Sequence, residues 1–265
     1  MMKSIILAAG EGKRLRPLTE NIPKCLVKLF GKSLLEQQID TFKKCNIFDI
    51  SVVTGYKADS IKIPGLKIYK NSDYSSTNMV ETLFCAKNEM VSEVIVSYGD
   101  IIFESRVLEK LIDSEDDVSI IIDKEWEKYW KIRFDDPLED VETLLLDKNN
   151  YILDLGQKPK SLDEIQGQYI GLMKFQGKGL EFMLKYYDDV KGEFENTGKN
   201  CLNPNLEFRK SYMTDFLRGM ISEGCKIKGI PINNGWLEVD SVKDFQTYSR
   251  MYDDKTLNPF FSINS

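Results

Sequence analysis

The sequence predicts a three-layer α/β protein, in which helices cover both faces of a mostly parallel, mixed β-sheet. Short runs of β-branched residues alternate with amphipathic stretches of helical length along most of the chain. The 265 residues are enough for one sizeable core, and contents of 42% hydrophobic and 29% charged residues are ordinary for a globular protein. There is no internal repeat and no low-complexity segment.

The alternation of strands and helices is clearest in the first half of the chain. It predicts strands at Lys3 to Leu7, Ile50 to Thr54, Glu93 to Ser97 and Val118 to Ile122, and helices at Leu34 to Cys45, at Asn78 to Glu89 and after Ser105. In the first of these helices Leu35, Ile39 and Phe42 share one face, which is typical of a helix that faces the core. This order of elements favours parallel strands joined by helical crossovers.

The second half begins with a break in periodicity. Between Asp123 and Asn150 we expect a small aromatic-rich excursion over the sheet. Further strands are predicted at Tyr151 to Leu155, Tyr169 to Phe175 and Lys226 to Ile232, and further helices at Gly179 to Tyr187, at Ser211 to Glu223 and from Ser241. The segment Gly192 to Pro204 is rich in Gly, Asn and Pro and predicts a loop. We expect one domain over residues 1–252 and a polar tail over residues 253–265.

The composition excludes several kinds of chemistry. The chain contains no histidine, which removes the usual general base and the commonest metal ligand. Any chemistry must therefore use Lys, Arg, carboxylates and backbone groups.

The composition also bears on location. No apolar run approaches the ~18 residues that a membrane-spanning helix needs. The five cysteines are widely spaced, which is typical of reduced thiols. We expect a soluble, cytoplasmic protein without a membrane partner.

The charge is unevenly distributed along the chain. The net charge of −6 argues against a nucleic-acid partner. Residues 1–44, however, carry nine Lys/Arg against four Asp/Glu, a local charge of +5. Cations beside a glycine-rich turn indicate a small polyanionic ligand, whereas a solvated basic face is the plainer alternative.

The carboxyl ends of the predicted strands are the expected position of a site, because ligands of open parallel sheets collect where these loops converge. The turns there are Gly10 to Arg16, Gly55-Tyr56 and Tyr98-Gly99-Asp100. In the first turn two glycines allow backbone N–H groups to surround a phosphate, with three cations close behind. The turn matches neither a dinucleotide fingerprint nor a P-loop, and an ordinary tight turn fits it as well.

Three further residues are candidates for chemistry on a phosphate. Lys24 is held by the preceding proline in the basic segment, and a fixed ammonium suits the charge that builds on an α-phosphate; a plain surface lysine is the alternative. Asp100 follows an apolar strand, and Asp240 precedes a capping-box pattern. Two carboxylates on two loops can share one Mg²⁺. Asp240 fits equally well as part of a helix cap.

A family resemblance rests on the segment Leu7-Ala8-Ala9-Gly10-Glu11-Gly12-Lys13-Arg14-Leu15-Arg16-Pro17-Leu18-Thr19 followed by Pro23-Lys24. It resembles the signature of the sugar-phosphate nucleotidyltransferases, and Gly99-Asp100, Tyr169 to Phe175 and Glu238-Val239-Asp240 extend the likeness over nearly the whole chain. The segments Asn71 to Leu83 and Asp100 to Phe103 look closest to the phosphocholine and 2-aminoethylphosphonate cytidylyltransferases. The resemblance implies a Rossmann-like fold and an enzyme that transfers CMP from CTP to a small phosphate or phosphonate acceptor with Mg²⁺, releasing pyrophosphate.

The resemblance also implies roles for individual residues. Arg14 would hold the departing pyrophosphate, Lys24 would stabilise the α-phosphate, and Asp100 and Asp240 would bind Mg²⁺. We expect nucleotide contacts at Leu7, Ala8, Ala9, Gly10, Glu11, Gly12, Lys13, Arg14, Lys24, Gly55, Tyr56, Thr77, Asn78, Tyr98 and Gly99.

The acceptor side is less clearly marked. We expect acceptor contacts at Trp126, Trp130, Lys158, Tyr169, Trp236 and Glu238. Aromatic faces can hold an ammonium group by cation–π attraction, although aromatic stripes are more often core, and Asp135, Asp136 and Asp140 are alternative ligands for an amine. Sugar-selective members usually carry Glu-Lys-Pro where this chain has Gln157-Lys158-Pro159. Choline phosphate, an aminoalkyl phosphonate and a phosphorylated amino-acid amide all remain open as acceptors.

Two other functions and the assembly also stay open. One is a sugar-1-phosphate uridylyl- or guanylyltransferase with the same catalytic residues. The other is a non-catalytic nucleotide-binding regulator, against which the complete set of Arg14, Lys24, Asp100 and Asp240 argues. The sequence leaves open whether the chain forms a homodimer.

Overall fold

A central β-sheet of seven strands organises the computed structural model, which describes residues 2–263. Further strands form three small two-stranded sheets. In chain order, all strands of the described residues are β1 (Lys3–Ala8), β2 (Lys28–Leu29), β3 (Lys32–Ser33), β4 (Asp49–Thr54), β5 (Lys67–Lys70), β6 (Val94–Tyr98), β7 (Ile101–Phe103), β8 (Val118–Asp123), β9 (Leu144–Leu146), β10 (Ile152–Leu155), β11 (Gln168–Phe175), β12 (Lys228–Ile232) and β13 (Trp236–Glu238). The sheet order is β12-β8-β11-β6-β1-β4-β5, and β11 runs antiparallel to both neighbours while the other pairs are parallel. The predicted mostly parallel, mixed sheet is therefore confirmed.

Helices cover both faces of this sheet. They are α1 (Leu34–Lys44), α2 (Met79–Phe84), α3 (Ser105–Ile112), α4 (Trp126–Arg133), α5 (Gly177–Thr197), α6 (Met213–Ser222) and α7 (Val242–Asp253). Side chains alternate along β1, so that Ile6 and Ala8 enter the core under α1, α3, α4 and α7, whereas Ile5 and Leu7 enter the core under α2, α5 and α6. The three-layer arrangement follows from this burial on both faces.

The helix that follows Asp240 begins where the sequence predicts. The hydroxyl of Ser241 accepts a hydrogen bond from the backbone N–H of Asp244, and the Asp244 carboxylate accepts one from the backbone N–H of Ser241. This reciprocal capping satisfies N–H groups that have no partner within the helix. The cap fixes the direction in which the chain enters α7 and thereby the position of Asp240.

A bulge in β11 shapes the sheet beside β6. The register of β11 against β8 shifts between Tyr169 and Met173, and Gly171 there has a φ of 83°. A Cβ atom at this position would overlap the ring of Tyr98 on β6. Glycine is needed both for the left-handed backbone and for the close approach of the tyrosine ring.

Several predicted boundaries are wrong. The aperiodic excursion contains α4 and β9, and the predicted helix at Asn78 to Glu89 is regular only as far as Phe84. The predicted loop at Gly192 to Pro204 begins too early, because α5 continues to Thr197 and ends at Gly198, whose φ of 70° makes it the left-handed cap.

The segment after α7 is not simply a polar tail. Leu257 and Phe261 are buried, the carbonyl of Phe260 accepts from the backbone N–H of Gly235 at 2.7 Å, and the backbone N–H of Ser262 donates to Glu104. Apolar side chains spaced along this short segment therefore anchor it to the protein. Met1, and residues 264 and 265 of the predicted tail, lie outside the described residues.

Candidate active site

Two adjoining depressions lie at the carboxyl ends of the parallel strands. The first, called here the strand-end cavity, has a volume of about 130 Å³. It is lined by Leu7, Ala8, Ala9, Gly10, Lys24, Cys25, Tyr74, Thr77, Asn78, Met79, Thr82, Tyr98, Gly99 and Asp100. Ten of the residues predicted to bind the nucleotide or the metal are among them. Sequence reasoning did not assign Cys25, Tyr74, Met79 and Thr82 to the site, although the last three lie in the segment Asn71 to Leu83 that carries part of the family resemblance.

The wall of this cavity is built from the ends of β1 and β6. The backbone N–H of Gly99 donates to the carbonyl of Leu7 at 2.9 Å, and a Cβ on Gly99 would lie 2.7 Å from that oxygen. Glycine at this position therefore allows the two strand ends to close together. A Cβ on Gly10, in contrast, would have no atom of the protein within 4 Å beyond its chain neighbours, so a ligand can approach the backbone of this turn.

Some predicted nucleotide contacts lie behind the cavity and do not line it. Gly12 has a φ of 65°, and a Cβ on it would meet the Lys24 stem at 2.9 Å. Gly55 leaves room for Tyr74, which does line the cavity. The hydroxyl of Tyr56 donates to the carbonyl of Glu20 at 2.8 Å. Glu11 pairs with Arg16 and with Lys13, whose side chain is largely exposed. These five positions support or flank the turn, and ligand contact at them stays a prediction.

Two cations and two carboxylates meet at the mouth of the cavity. The Lys24 ammonium donates to Asp100 Oδ2 at 2.7 Å and to Asp240 Oδ1 at 2.6 Å. Arg14 pairs with the other oxygen of Asp240. The second oxygen of Asp100, Oδ1, is buried and has no hydrogen-bond partner within residues 2–263. The structure thus brings together all four residues that the sequence singled out for chemistry.

A short antiparallel ribbon joins the two aspartates. Strand β13 pairs with β7 so that Glu238 lies opposite Ile101, and the backbone N–H of Val239 donates to the carbonyl of Asp100 at 2.9 Å. Each aspartate therefore lies at the end of a strand whose partner carries the other. Their separation in sequence is bridged by backbone hydrogen bonds, which fix their distance better than flexible loops would.

Arg133 on α4 holds this ribbon through ion pairs, and sequence reasoning did not identify this residue. Its side chain is only 1% exposed and donates to Glu238 Oε2 at 2.5 Å and to Asp244 Oδ1 at 3.1 Å. Asp244 in turn accepts from the backbone N–H of Asp240 at 3.1 Å. The hydroxyl of Tyr129 accepts from the backbone N–H of Glu238 at 2.7 Å. Helix α4 thereby holds the segment that carries Asp240.

The second depression, called here the acidic cleft, is wider, with a volume of about 500 Å³. It is lined by Arg14, Met79, Tyr98, Trp130, Leu138, Glu139, Asp140, Val141, Glu142, Gly156, Gln157, Lys158, Gln168, Tyr169, Ile170, Gly171, Tyr212, Thr214, Trp236, Glu238 and Asp240. Tyr98 and Met79 line both depressions, so the cleft opens onto the strand-end cavity. Five of the six predicted acceptor residues line this cleft.

The tryptophans do not form the open aromatic cage that the sequence allowed. Trp126 does not line the cleft and is buried, with its ring edge-on to Trp130. This corrects the prediction of an acceptor contact for Trp126: the i, i+4 spacing places both rings on the side of α4 that faces the core. Trp236 reaches the cleft, but its indole N–H donates to the buried carboxylate of Asp123 at 2.9 Å. Asp135 and Asp136 lie outside the cleft lining, whereas Asp140 belongs to it.

Glu142 is a carboxylate of the cleft whose pKa is raised by its surroundings. The surrounding protein and the neighbouring carboxylates Asp215, Asp140 and Glu238 raise the pKa of Glu142 to about 7, although solvent reaches the residue through the open cleft. Burial of a carboxylate and nearby like charges both favour its protonated form. Sequence reasoning missed Glu142 because it lies in the aperiodic excursion, where no pattern marks its direction.

Fold and site together define an α/β enzyme that handles nucleotide phosphates: a glycine turn, a lysine and two aspartates converge beyond the carboxyl ends of a parallel sheet. Residues 4–150 match the family model described as a MobA-like NTP transferase domain. The chain belongs to this family of nucleotidyltransferases. The predicted family, fold class and enzyme class are confirmed.

Similar proteins cover most of the chain. A protein of Campylobacter jejuni named CTP:phosphoglutamine cytidylyltransferase is 39% identical over 256 residues, which are 92% of this chain and 98% of that protein. The choline-phosphate cytidylyltransferase of Streptococcus pneumoniae is 38% identical over 108 residues, 39% of this chain and 47% of that protein. The bifunctional protein GlmU of Methanocaldococcus jannaschii is 28% identical over 259 residues, 96% of this chain, which spans only 55% of GlmU.

Solved structures share the fold. The CTP:phosphocholine cytidylyltransferase of Streptococcus pneumoniae superimposes with a TM-score of 0.72 at 23% identity, covering 95% of this chain and 99% of that one. The inositol-1-phosphate CTP transferase of T. maritima gives a TM-score of 0.69 at 19% identity, covering 95% and 96%. Within residues 2–263, every helix is too short or too polar to span a lipid bilayer.

Proposed function

We propose that this chain transfers CMP from CTP to a small phosphorylated acceptor and releases pyrophosphate, with Mg²⁺ as the metal. The observation that carries the proposal is the contact of one ammonium, that of Lys24, with both Asp100 and Asp240 at the mouth of the strand-end cavity. The similarity to a cytidylyltransferase over 92% of the chain supports CTP as the donor.

The two aspartates fit a magnesium ion. Asp100 Oδ1 is a buried carboxylate oxygen without a partner among the described residues, and such an atom is costly unless a ligand satisfies it. No group of three or more His, Cys, Asp or Glu residues suited to a metal occurs within residues 2–263. Magnesium commonly takes one or two carboxylates and completes its shell with phosphate oxygens and water. When bound, the ion would neutralise charge on the triphosphate.

Individual residues of the chain would contact different phosphates of the reactants. Lys24 would offer its ammonium to an α-phosphate in the strand-end cavity, and Arg14 would offer its guanidinium to the departing pyrophosphate. An acceptor phosphate oxygen attacks the α-phosphorus, forming one P–O bond as the bond to the bridging oxygen of pyrophosphate breaks. The nucleophile is already an oxyanion, so no proton has to be removed, which suits a chain without histidine.

The acceptor would enter through the acidic cleft. Tyr98 lines both the cleft and the strand-end cavity, and this shared wall supports an acceptor site in the cleft beside the α-phosphate. Lys158 lines the cleft and offers a cation to the acceptor phosphate. The relatives named for phosphoglutamine and choline phosphate make a phosphorylated small molecule the supported acceptor class.

Pyrophosphate release tests the proposal. CTP, UTP, GTP and dTTP are each incubated with Mg²⁺ and a panel of small phosphates, phosphonates and sugar 1-phosphates. We expect CTP with a small phosphate to be the productive pair, and Lys24→Ala and Asp100→Asn to lower kcat by about 10³-fold or more. Lys185→Ala serves as a matched control, since Lys185 pairs with Asp189 on the exposed face of α5. Turnover only with UTP and sugar 1-phosphates would instead support the function suggested by the GlmU relatives.

Location and assembly remain predictions. The five cysteines are all free within the described residues, as expected of a cytoplasmic protein. A homodimer stays an open prediction, which light scattering of the purified chain would decide.

A further inference from the structure

The carboxylates of the acidic cleft differ in whether the chain supplies a cation for them. Glu238 pairs with Arg133, and Asp240 pairs with Lys24 and Arg14. Glu142, like Glu139 and Asp140, forms no ion pair within residues 2–263, so the acidic cleft retains carboxylates for which the chain supplies no cation. These carboxylates are therefore available to a cation that a ligand carries.

The backbone around Glu142 is held firmly in place. The side-chain amide of Gln168 donates to the carbonyl of Glu142 at 2.6 Å and accepts from its backbone N–H at 3.3 Å. The indole N–H of Trp130 donates to the carbonyl of Asp140 at 2.8 Å. These contacts use backbone groups, so they position the segment without consuming the carboxylate of Glu142. Thr214 lines the same cleft.

A second negative charge lies behind Glu142. Asp215 is only 4% exposed, and its carboxylate accepts from neutral donors, the side-chain amide of Asn203 at 3.1 Å and the backbone N–H of Tyr212 at 3.0 Å. Neutral donors stabilise a carboxylate without cancelling its charge. Desolvation by the surrounding protein and, after it, the charge of Asp215 raise the pKa of Glu142, and a ligand cation beside the carboxylate would favour its charged form.

The cleft offers hydrogen-bond acceptors more than open aromatic faces. Trp130 and Trp236 are 4% and 2% exposed, and the rings of Tyr98 and Tyr169 pack edge to face at 5.8 Å. Tyr212, at 50% exposure, is the cleft aromatic with an accessible ring. A quaternary ammonium has no N–H and is held mainly by several aromatic faces. A primary ammonium has three N–H donors and is held by carboxylate, amide and hydroxyl oxygens.

We propose that the acceptor carries a primary ammonium group, and that Glu142 is the residue that binds it and selects it over a quaternary ammonium and over an uncharged group. The inference rests on the proposed function, because it assigns the acidic cleft to the acceptor. The chemical class is a small phosphate ester or anhydride with a free amino group a few bonds from the phosphorus. Glu142 thereby sets specificity, while Lys24, Asp100 and Asp240 carry the transfer.

Three acceptors that differ at one group test this assignment. Phosphoethanolamine, phosphocholine and ethyl phosphate share the phosphate and the two-carbon unit, and differ in carrying a primary ammonium, a quaternary ammonium or no charge. We expect wild-type kcat/KM to be highest for phosphoethanolamine, by about 10- to 100-fold over ethyl phosphate, the range of one charge-assisted hydrogen bond. Glu142→Gln should remove this preference and leave turnover of ethyl phosphate within about 2-fold. Glu127→Gln, on the exposed face of α4, is the matched control.

The outcomes separate the inference from the proposed function. Equal turnover of phosphocholine and phosphoethanolamine, or an equal loss for all three acceptors in Glu142→Gln, would overturn the role of Glu142. Absence of pyrophosphate release with every acceptor would instead refute the proposed function. In that case calorimetric titration of phosphoethanolamine and ethyl phosphate into wild type and Glu142→Gln still decides the matter: binding that is tighter for the amine only in wild type supports the inference, and equal binding refutes it.

Discussion

Replacement of Arg133 by Met should destabilise the protein and impair the chemical step together. The substitution keeps an apolar stem but leaves Glu238 and Asp244 without their cation. Loss of one partner of a buried ion pair costs about 3 to 5 kcal/mol. Asp244 keeps the N–H donors of Asp240 and Ser241, and Glu238 is 26% exposed, so we expect a value near the lower end, about 3 kcal/mol.

The Arg133→Met substitution should also affect catalysis, because Arg133 is linked to Asp240 through Asp244. Arg133 orients Asp244, and Asp244 holds the backbone of Asp240. We expect kcat to fall by about 10-fold or more while KM for CTP changes less, since the strand-end cavity is not lined by Arg133. Arg133→Lys, which keeps the charge but not the two-sided contact, should recover part of both losses.

Denaturant unfolding followed by tryptophan fluorescence, together with steady-state kinetics, provides the assay. The matched control is Lys131→Met in the same helix, where the ion pair with Glu127 is exposed and its loss should cost less than about 0.5 kcal/mol. An Arg133→Met protein with wild-type stability and kcat would refute the reasoning. A protein that lost stability but kept its full kcat would show that Arg133 supports the fold without positioning Asp240.

Three further predictions concern single positions. Gly171→Ala should cost about 2 to 4 kcal/mol in unfolding free energy, from the left-handed backbone and the clash with Tyr98, whereas Gly192→Ala in the open face of α5 should stabilise by about 0.5 to 1 kcal/mol. The pKa of Glu142 is raised from 4.5 to about 7 in the folded protein, so the folded state binds its proton more tightly than the unfolded state. This contribution to stability is present at low pH and is lost as the pH rises through 7. Thermal melts should therefore show Glu142→Gln to be more stable than wild type at pH 8 but not at pH 4. The pKa of Glu89 is lowered to about 2, first by the hydrogen bond from Lys3 and then by that from Tyr69, so Glu89→Gln should cost about 1 to 2 kcal/mol at pH 7, and urea unfolding should show this difference disappearing as pH falls from 4.5 towards 2.

The parts of the fold that depend on local chemistry were predictable from the sequence. The apolar face of α1 and the cap at Ser241 lie within a few residues of the atoms that they contact, so periodicity and capping rules describe them directly. The alternation of strands and helices likewise predicted β1, β4, β6 and β8 along the chain, but it missed the edge strand β5. The end of α5 was missed because Gly192 resembles a helix breaker in the sequence, although its helical position faces open space and the left-handed residue is Gly198.

The site was predictable where a motif marks it and not elsewhere. Lys24 and Asp240 are 216 residues apart, and only the rule about strand ends and the family resemblance linked them. The role of Arg133 could not be predicted from local sequence, because its partners Glu238 and Asp244 lie 105 and 111 residues away. Helical spacing correctly paired Trp126 with Trp130 but cannot say whether a shared face meets the core or a ligand.

The most direct test of the central claim is a crystal structure of the protein soaked with Mn²⁺ and a non-cleavable CTP analogue, with anomalous scattering used to locate the metal. The structure predicts one metal peak ligated by Asp100 and Asp240, with the Lys24 ammonium moved from between the carboxylates onto the α-phosphate. A metal bound elsewhere, or a nucleotide bound with Lys24 still bridging Asp100 and Asp240, would contradict it.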